Sequence, residues 1–306
     1  MKRFKNILAV YSGNVGDDEA LNHAASLAQS NEGRLTIIDV VKDASATEAW
    51  LDERRKQLSR VASSLHSLGI EVSAKVRVGS AFFEIIQEVL QRDHDLVVMA
   101  VDSVSGIRKL FFGSTSMHLM RKCPCPVWLI KPGSGSRFGR IFAAVDAPLG
   151  EERPRELDIK IMDLATSLAR SNKSNLTVFN AWDLTGTDQD TMRSETTQAI
   201  RNEIVRRNEE KHHQPLKRLL ELYDLKNIEH TIVLQRGTPT LLIPEIVEGQ
   251  RMDLLVMGTV SRTGVPGFFM GNTAELILRQ VKCSVLTMKP EGFKSPVELE
   301  TEDRRM

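Results

Sequence analysis

An internal repeat constrains the fold of this chain more than any other feature of its sequence. The segment ALNHAASLAQSNEGRLTIIDV (20–40) matches IMDLATSLARSNKSNLTVFNA (161–181), and RKCPCPVWLIKP (121–132) matches RQVKCSVLTMKP (279–290). In the first pair, an amphipathic helical pattern precedes a turn and an apolar strand. Because such self-similarity indicates duplication, we predict two copies of one folding unit in tandem.

Short apolar strands alternate with helices in both copies. The first copy is predicted to have strands at 6–11, 34–40, 71–77, 95–101 and 126–131, and helices at 17–30, 47–68, 80–92 and 113–122. The second copy is predicted to have strands at 140–146, 175–181, 228–234, 253–258 and 284–289, and helices at 155–171, 189–224, 238–249 and 271–280. Runs such as LVVMAV and LLVMG are apolar throughout, as expected where helices cover both faces of a parallel sheet. We therefore predict an α/β protein with two tandem, doubly wound, five-stranded parallel sheets of Rossmann-like type.

The repeat also predicts the domain boundaries and the ligand crevices. Domain 1 is assigned to 1–132 and domain 2 to 140–290, with a Gly/Ser-rich linker at 133–139 and a polar C-terminal tail at 291–306. The tail shows no periodicity, so we expect it to lie extended over the surface or to fray. In a doubly wound sheet the crevice lies at the carboxyl ends of the strands, where the strand order reverses, which predicts one crevice in each domain.

Composition excludes several classes of partner. The 41 Lys and Arg residues nearly balance the 40 Asp and Glu residues, so the formal charge is +1 and the basic excess typical of nucleic-acid binders is missing. No apolar run approaches the roughly 18–20 residues of a membrane helix, and the N-terminal segment lacks the features of a signal peptide. We therefore expect a cytoplasmic protein with neither a nucleic-acid nor a membrane partner.

The cysteines and histidines do not predict a metal site. Three cysteines in a chain of this length do not form a disulfide framework. Cys123 and Cys125 are interpreted as small buried residues that enter a strand, because C-x-C lacks the usual spacing of zinc ligands. The adjacent His212 and His213 point about 100° apart on a helix, which disfavours a shared metal ion.

Motifs of the common catalytic sites are also missing from the sequence. It has no G-x-x-x-x-G-K-[ST] phosphate loop, no G-x-S-x-G nucleophile turn and no H-E-x-x-H zinc motif. No spacing builds a nucleophile and base with a third orienting group. The acidic run from Asp17 to Glu19 is interpreted as favouring the N-terminal end of the first helix. We therefore expect that the chain is not an enzyme, with at most slow, incidental hydrolysis of ATP.

A glycine-containing loop follows the fourth strand of each copy. It reads GTVSRTGVPGFFMGNTAE (258–275) in copy two and AVDSVSGIRKLFFGSTSM (100–117) in copy one. Glycines between a strand and a helix often hold phosphate, because the N–H groups at a helix N-terminus attract anions. This loop resembles the ATP-binding signature of the universal stress protein family. In that signature an apolar strand is followed by Gly, two residues, Gly, nine residues and Gly-Ser/Thr. This resemblance covers residues 3–299 and implies a fold of the adenine nucleotide alpha hydrolase type.

The resemblance implies that a strand-one Asp and the end of strand two hold adenine and ribose, while the loop and a following hydroxyl hold phosphate. In copy two the corresponding residues are Asp146, Ala147, Ala181, Met257, Gly258, Ser261, Gly271, Asn272, Thr273 and Ala274. Copy two departs from the family pattern at Ser261, where Gly is expected, and at Asn272, where Ser or Thr is expected. A Cβ at Ser261 hinders close backbone approach or requires an unfavourable positive φ. We interpret copy two as the better-kept site for ATP or another adenine nucleotide, with Mg²⁺ as a candidate companion ion.

Copy one departs further from the family pattern. Tyr11 is aligned with the strand-one Asp, while Ala100 and Ser103 take the places of the first two glycines. The residues carried over as a weaker site are Ser12, Val40, Ala100, Gly113, Ser114 and Thr115. The lost carboxylate and the added bulk of Tyr11 predict a degenerate nucleotide site in domain 1.

Three functions are open from the sequence. The resemblance implies a cytoplasmic stress-response protein that binds ATP mainly in domain 2 and acts as a non-catalytic sensor or regulator. If both sites are degenerate, the chain is a nucleotide-free interaction scaffold or a carrier of a small apolar ligand, and a slow ATPase is a weaker alternative. The resemblance also implies pairing of the two domains, with the fifth strands 126–131 and 284–289 near a pseudo-twofold axis. It allows a homodimer and further protein partners that the sequence does not identify.

Overall fold

A computed structural model describes residues 4–42, 46–101, 112–193, 197–259 and 270–299. Contacts divide the chain into two compact units. The first unit is Met1–Arg137 together with Thr259–Met306, and the second unit is Phe138–Gly258. Each unit is described below by itself.

The elements follow the alternation of strands and helices that the sequence predicts. The chain begins with β1 (Asn6–Val10), α1 (Asp17–Asn31), β2 (Arg34–Val41), α2 (Glu48–His66), β3 (Glu71–Val78), α3 (Ala81–Arg92), β4 (Leu96–Ala100), α4 (Ser114–Lys122) and β5 (Val127–Ile130). The second unit holds β6 (Arg140–Ala144), α5 (Glu156–Asn172), β7 (Asn175–Trp182), α6 (Thr187–Arg193), α7 (Gln198–Leu220), β8 (His230–Arg236), α8 (Pro239–Gly249) and β9 (Leu254–Gly258). The chain then returns to the first unit with α9 (Asn272–Leu278) and β10 (Ser284–Met288).

In the first unit, the sheet has the strand order β3-β2-β1-β4-β5-β10. The pairs from β3 to β5 are parallel, whereas β10 runs antiparallel to β5, with Val285 opposite Leu129. Every residue of β4 and β5 is buried, which explains why these strands are apolar at each position. The fifth strands of the two copies therefore lie next to each other in one sheet.

In the second unit, β9, β6, β7 and β8 form a parallel sheet in that order. Strands β6, β7 and β9 are largely buried, and Phe142 of β6 packs against Phe179 of β7 with ring centroids 5.3 Å apart. Strands that alternate with helices and pair in parallel confirm the predicted α/β fold class. The predicted domain boundaries at 132 and 140 stay a prediction, because the compact units group β10 with the first copy.

The predicted single helix at 189–224 is wrong. The structure instead has α6, which ends at Arg193, and α7, which begins at Gln198. Thr197 is the N-cap of α7, and its side-chain oxygen accepts the N–H of Ile200 at 3.4 Å. A Thr at the N-cap is a local sequence signal for the start of a helix. The segment around Thr197 is polar throughout, so its pattern did not show where α7 begins. None of the helices in the described ranges is long and apolar enough to cross a membrane.

Lys289, one residue after β10, is buried inside the first unit. Its ammonium donates hydrogen bonds to the carbonyl oxygens of Met120 and Arg121 and to Oγ1 of Thr259. These carbonyls belong to the last turn of α4, where a cation is favoured by the helix dipole. Burial lowers the pKa of Lys289 to about 8. The single ammonium therefore links the start of the C-terminal segment to the end of α4.

The tail beyond Lys289 lies against the first unit as far as it is described. Val297 is buried, and the side-chain amide of Gln87 on α3 donates to the carbonyl oxygen of Glu298 at 2.5 Å. Gln87 is itself fully buried. The described part of the tail is thus held against the first unit by these contacts, and the sequence expectation for the tail as a whole stays a prediction.

Replacing Lys289 by Met tests the link to α4. We expect Lys289→Met to lower the free energy of unfolding by about 2–3 kcal/mol, because buried carbonyl oxygens lose a charged donor. The matched control is Lys131→Met, the same position of the first copy, where we expect a change below about 0.5 kcal/mol. Urea unfolding followed by circular dichroism measures both, and equal losses in the two variants would contradict the assigned role.

Candidate functional site

The carboxyl ends of the parallel strands form one edge of the sheet in each unit. In the first unit β1 lies between β2 and β4, and in the second unit β6 lies between β7 and β9. The strand order of each unit reverses beside the first strand of the copy. In a doubly wound sheet the connections at such a point leave toward opposite sides of the sheet, and a crevice opens there. This edge is therefore where the sequence-predicted site residues have to be found.

In the second unit, five predicted residues lie at this edge. Asp146 and Ala147 follow β6, Ala181 lies near the end of β7, and Met257 and Gly258 end β9. Ala147 and Met257 are buried, whereas the side chain of Asp146 is 41% exposed. The structure thus brings this group together at the carboxyl edge and leaves the Asp146 carboxylate accessible.

Two charged side chains hold Asp146. Its main-chain N–H donates to Oδ1 of Asp158 at 2.8 Å, and its carboxylate Oδ2 lies 3.4 Å from Nη1 of Arg155. Arg155 also donates from Nε and Nη2 to Oε1 of Glu151, at 2.8 and 2.6 Å. The loop between β6 and α5 is therefore tied to the candidate site through one guanidinium.

Asp158 is a buried acid behind this loop. It lies in the first turn of α5 and is 3% exposed. Burial raises the pKa of its carboxyl group to about 7, with Arg155 opposing the rise and Glu151 adding to it. The pKa of the half-buried Glu151 in the loop is instead held below its ordinary value by its bonds to Arg155. The pKa of Asp158 is therefore raised, whereas the pKa of Glu151 is lowered.

Gly258 lies against α5 at the end of β9. A Cβ built on Gly258 would lie 2.6 Å from Cδ2 of Leu157 on α5, closer than side chains normally approach. Because Cδ2 is the far end of a flexible side chain, a shift of Leu157 would relieve this contact. Packing against α5 therefore does not by itself require glycine at this position.

The other predicted residues of copy two lie in the first unit or outside the described ranges. Gly271 is the N-cap of α9, and its own N–H donates to the carbonyl oxygen of Thr259 at 2.8 Å. Asn272 and Thr273 are exposed and Ala274 is buried. Ser261 and, in copy one, Ser103 lie outside the described residues. The role of this group in holding phosphate stays a prediction.

The weaker predicted site of copy one lies in the first unit. Ser12 follows β1, Val40 is in β2 and Ala100 ends β4, so these three residues share the carboxyl edge. Gly113 is the N-cap of α4, and its carbonyl oxygen accepts the N–H of Met117 at 3.1 Å. Ser114 is exposed and Thr115 is half-buried in the first turn.

The sequence alignment of Tyr11 with Asp146 is wrong. Tyr11 donates its N–H to the carbonyl oxygen of Ile38, and Val145 makes the same bond to Phe179 in the second unit. These bonds make Tyr11 the counterpart of Val145, so Ser12 is the counterpart of Asp146. The hydroxyl of Tyr11 donates to Oδ1 of Asp18 at 2.9 Å, and burial is the main reason that its pKa is raised.

An internal ion pair occupies the edge of the first unit. Arg54 of α2 donates from Nε to Oδ2 of Asp39 at 2.8 Å and from Nη2 to the carbonyl oxygen of Ser12 at 2.9 Å. The side chain of Asp39 is 3% exposed and the side chain of Arg54 is 25% exposed. In the first unit, the end of β1 is thus bound by the guanidinium of Arg54. At the corresponding position of the second unit lies the carboxylate of Asp146.

Sequence reasoning missed Arg54, Asp39, Arg155 and Asp158. The acidic run at Asp17 was interpreted only as a favourable helix start, yet Asp17 also accepts the N–H groups of Ser12 and Asn14, both at 2.9 Å. The alignment that pairs Leu27 with Leu168 also pairs Asp17 with Asp158. This pairing of two aspartates is the sequence signal that could have identified Asp158. Within the described ranges, no group of three or more His, Cys, Asp or Glu side chains is arranged to hold a metal ion.

Comparison with known proteins identifies the repeated unit. The model of the universal stress protein family matches residues 3–131 and 139–289. Universal stress protein E of Escherichia coli K12 is 29% identical over 320 aligned positions, covering 99% of both chains. A functionally unknown protein from Pseudomonas aeruginosa PAO1 has a similar fold, with a TM-score of 0.71, 24% identity and 95% coverage of both chains. The structure of a universal stress protein from Archaeoglobus fulgidus in complex with dAMP aligns with 42% of this chain and 98% of its own chain. Its sequence identity is 19% and its TM-score is 0.35, so it supports no argument about this chain.

The Arg54 ion pair can be tested against its neighbour in sequence. We expect Arg54→Ala to lower the free energy of unfolding by about 3 kcal/mol, because the buried carboxylate of Asp39 loses its cation. Arg55→Ala is the matched control, since Arg55 pairs with the exposed Glu48 and Asp52, and it should change stability by less than about 1 kcal/mol. Denaturant unfolding at neutral pH measures the difference, and similar values for the two variants would refute it.

Proposed function

We propose that this chain, which belongs to the universal stress protein family, is a stress-response protein that binds an adenine nucleotide mainly through its second copy. The observation that carries the proposal is the position of Asp146. Its carboxylate is accessible at the carboxyl edge of the second unit, beside β6, where the strand order reverses. A carboxylate at such a point can accept hydrogen bonds from ribose hydroxyls or from an adenine amine.

The first unit offers a different chemistry at the same position. Ser12 replaces the carboxylate, and its carbonyl oxygen already accepts a bond from Arg54. A ligand with hydroxyl donors therefore meets a neutral serine side chain there instead of a carboxylate. This contrast supports the assignment of nucleotide binding to copy two over copy one.

The remaining parts of the proposal follow the family resemblance. Gly258, Gly271, Asn272, Thr273 and Ala274 are proposed to contact phosphate, with Ser261 in the same loop and Mg²⁺ as a companion ion. The chain acts as a non-catalytic sensor or regulator in the cytoplasm, with homodimerisation and protein partners as the means of signalling. A nucleotide-free scaffold is the competing function, and the lost carboxylate of copy one is the observation in its favour.

Titration calorimetry with MgATP tests the proposal directly. Wild-type protein at high micromolar concentration should release or absorb heat on binding, and no heat would overturn the proposal in favour of the scaffold. We expect Asp146→Ala to weaken binding about 10- to 100-fold, the effect of losing hydrogen bonds to a charged group. Ser12→Ala, at the counterpart position of copy one, should leave the affinity unchanged, and equal losses in both variants would contradict the assignment to copy two.

The absence of designed catalysis is tested with the same variants. Any release of phosphate from ATP should be slow, and it should fall with affinity in Asp146→Ala if it takes place at this site. Hydrolysis that is equally fast in wild type and Asp146→Ala would come from another source. Turnover that is fast in wild type and lost in the variant would instead identify an ATPase.

A further inference from the structure

The two copies hold the end of their first strand with equivalent aspartates in different ways. In the first unit, Oδ2 of Asp17 accepts two main-chain N–H groups, those of Ser12 and Asn14, both at 2.9 Å. In the second unit, Oδ1 of Asp158 accepts the N–H of Asp146 at 2.8 Å, and the described residues supply no second main-chain donor to this carboxylate. Both aspartates are buried, at 7% and 3% exposure. One copy therefore gives its buried carboxylate two backbone donors and the other gives it one.

A proline stands at the position, counted from the end of the first strand, that supplies the second donor in the first unit. Asn14 is the second residue after Ser12, and the second residue after Asp146 is Pro148. Proline has no N–H group, so the bond that Asn14 makes in the first unit has no equivalent in the second. The other oxygen of Asp158, Oδ2, is buried and meets no hydrogen-bond donor in the part of the chain that the structure describes.

The surroundings of Asp158 form a small, charged cavity. Its volume is about 10 Å³, close to the space of one water molecule. Nε of Arg218 is also buried and lacks an acceptor among the described residues, although its Nη2 donates to the carbonyl oxygen of Glu151 at 2.9 Å. The charged groups around Asp158 come from the end of β6, the β6–α5 loop and α7, namely Asp146, Glu151, Arg153, Arg155 and Arg218.

We propose that Asp158 is a proton-binding positioning residue, which takes up a proton in mildly acidic solution and so loosens the hold on the main chain of Asp146 at the nucleotide site. Ionised Asp158 forms a charge-assisted bond with the N–H of Asp146, and the positive charge of Arg155 favours the ionised form. Protonated Asp158 is a weaker acceptor for that N–H. The ionised form therefore favours an ordered main chain at Asp146. The link to nucleotide rests on the proposed function, whereas proton binding and its effect on Asp146 do not.

The effect on stability follows from the direction of the pKa shift. The folded pKa is about 7, against an ordinary value of 3.8. Between these values the folded protein holds a proton that the unfolded chain has released. The contribution of Asp158 to stability is therefore fully present below about pH 4 and is lost as the pH rises through about 7. Asp158→Asn, which mimics the protonated acid, should remove this pH dependence.

Carboxyl NMR of the ligand-free full chain tests proton binding. With Asp labelled by ¹³C at Cγ, the resonance that is lost in Asp158→Asn should titrate near pH 7, and the amide of Asp146 should follow with the same midpoint. Pro148→Ala returns a main-chain donor and should move that midpoint to lower pH. A midpoint near 4 in wild type, or an Asp146 amide that does not follow it, would overturn the proposal. If the midpoint is unmoved in Pro148→Ala, the missing donor is not its cause and the mechanism fails.

The pH dependence of MgATP binding tests the consequence for ligand affinity. From pH 8 to pH 6 we expect the affinity of wild type to fall about five-fold more than that of Asp158→Asn, as a single linked proton allows. The titration of the γ-phosphate is common to both proteins and cancels in the comparison. Equal falls in the two proteins would refute the coupling. If neither protein binds MgATP, the proposed function fails, while the NMR result still decides whether Asp158 binds the proton and controls Asp146.

Discussion

The hydrogen-bonded register of the first strand in each copy is the constraint on which the candidate site depends. Tyr11 and Val145 each make the last bond of their strand to the neighbouring strand, so Ser12 and Asp146 leave the two sheets at the same point. A shift by one residue would turn every side chain of the strand to the other face. Successive residues of β1 and β6 are buried, so such a shift would move each apolar side chain away from the close-packed neighbours that fit it. The position of the Asp146 carboxylate is therefore fixed by the packing of the sheet.

The two copies then diverge in how they satisfy buried charge at this edge. The first unit uses Arg54 to neutralise Asp39 and to bind the end of β1, which gives a closed and stable arrangement. The second unit leaves Asp158 with a single backbone donor and leaves the Asp146 carboxylate partly accessible. A buried polar atom without a hydrogen-bond partner costs stability. The first unit thus neutralises the buried Asp39 with Arg54, whereas the second unit leaves Oδ2 of Asp158 without a partner among the described residues.

Sequence patterns predicted the strands well, since continuous apolar runs such as β4 and β9 are buried on both faces and have few alternatives. The sequence patterns failed where one pattern is compatible with more than one local structure. A polar segment did not reveal the break between α6 and α7, because the cap of Thr197 is a single local contact. The comparison with the family pattern put Tyr11 at the place of the strand-one Asp, although the repeat itself, which pairs Ile7 with Ile141, pairs Tyr11 with Val145. The hydrogen bonds of the sheet agree with the pairing that the repeat gives.

The sequence by itself determined the duplication, the α/β class and the edge of each sheet at which a ligand would bind. These follow from periodicity and from the handed connections of parallel strands, which act over short stretches of chain. Only the tertiary structure decided which residues meet at that edge. Arg54 and Asp39, like Asp158 and Asp146, are separated along the chain and make contact only after helices pack onto the sheet. The charge state of a buried acid depends on its neighbours in space, and these neighbours are set by packing.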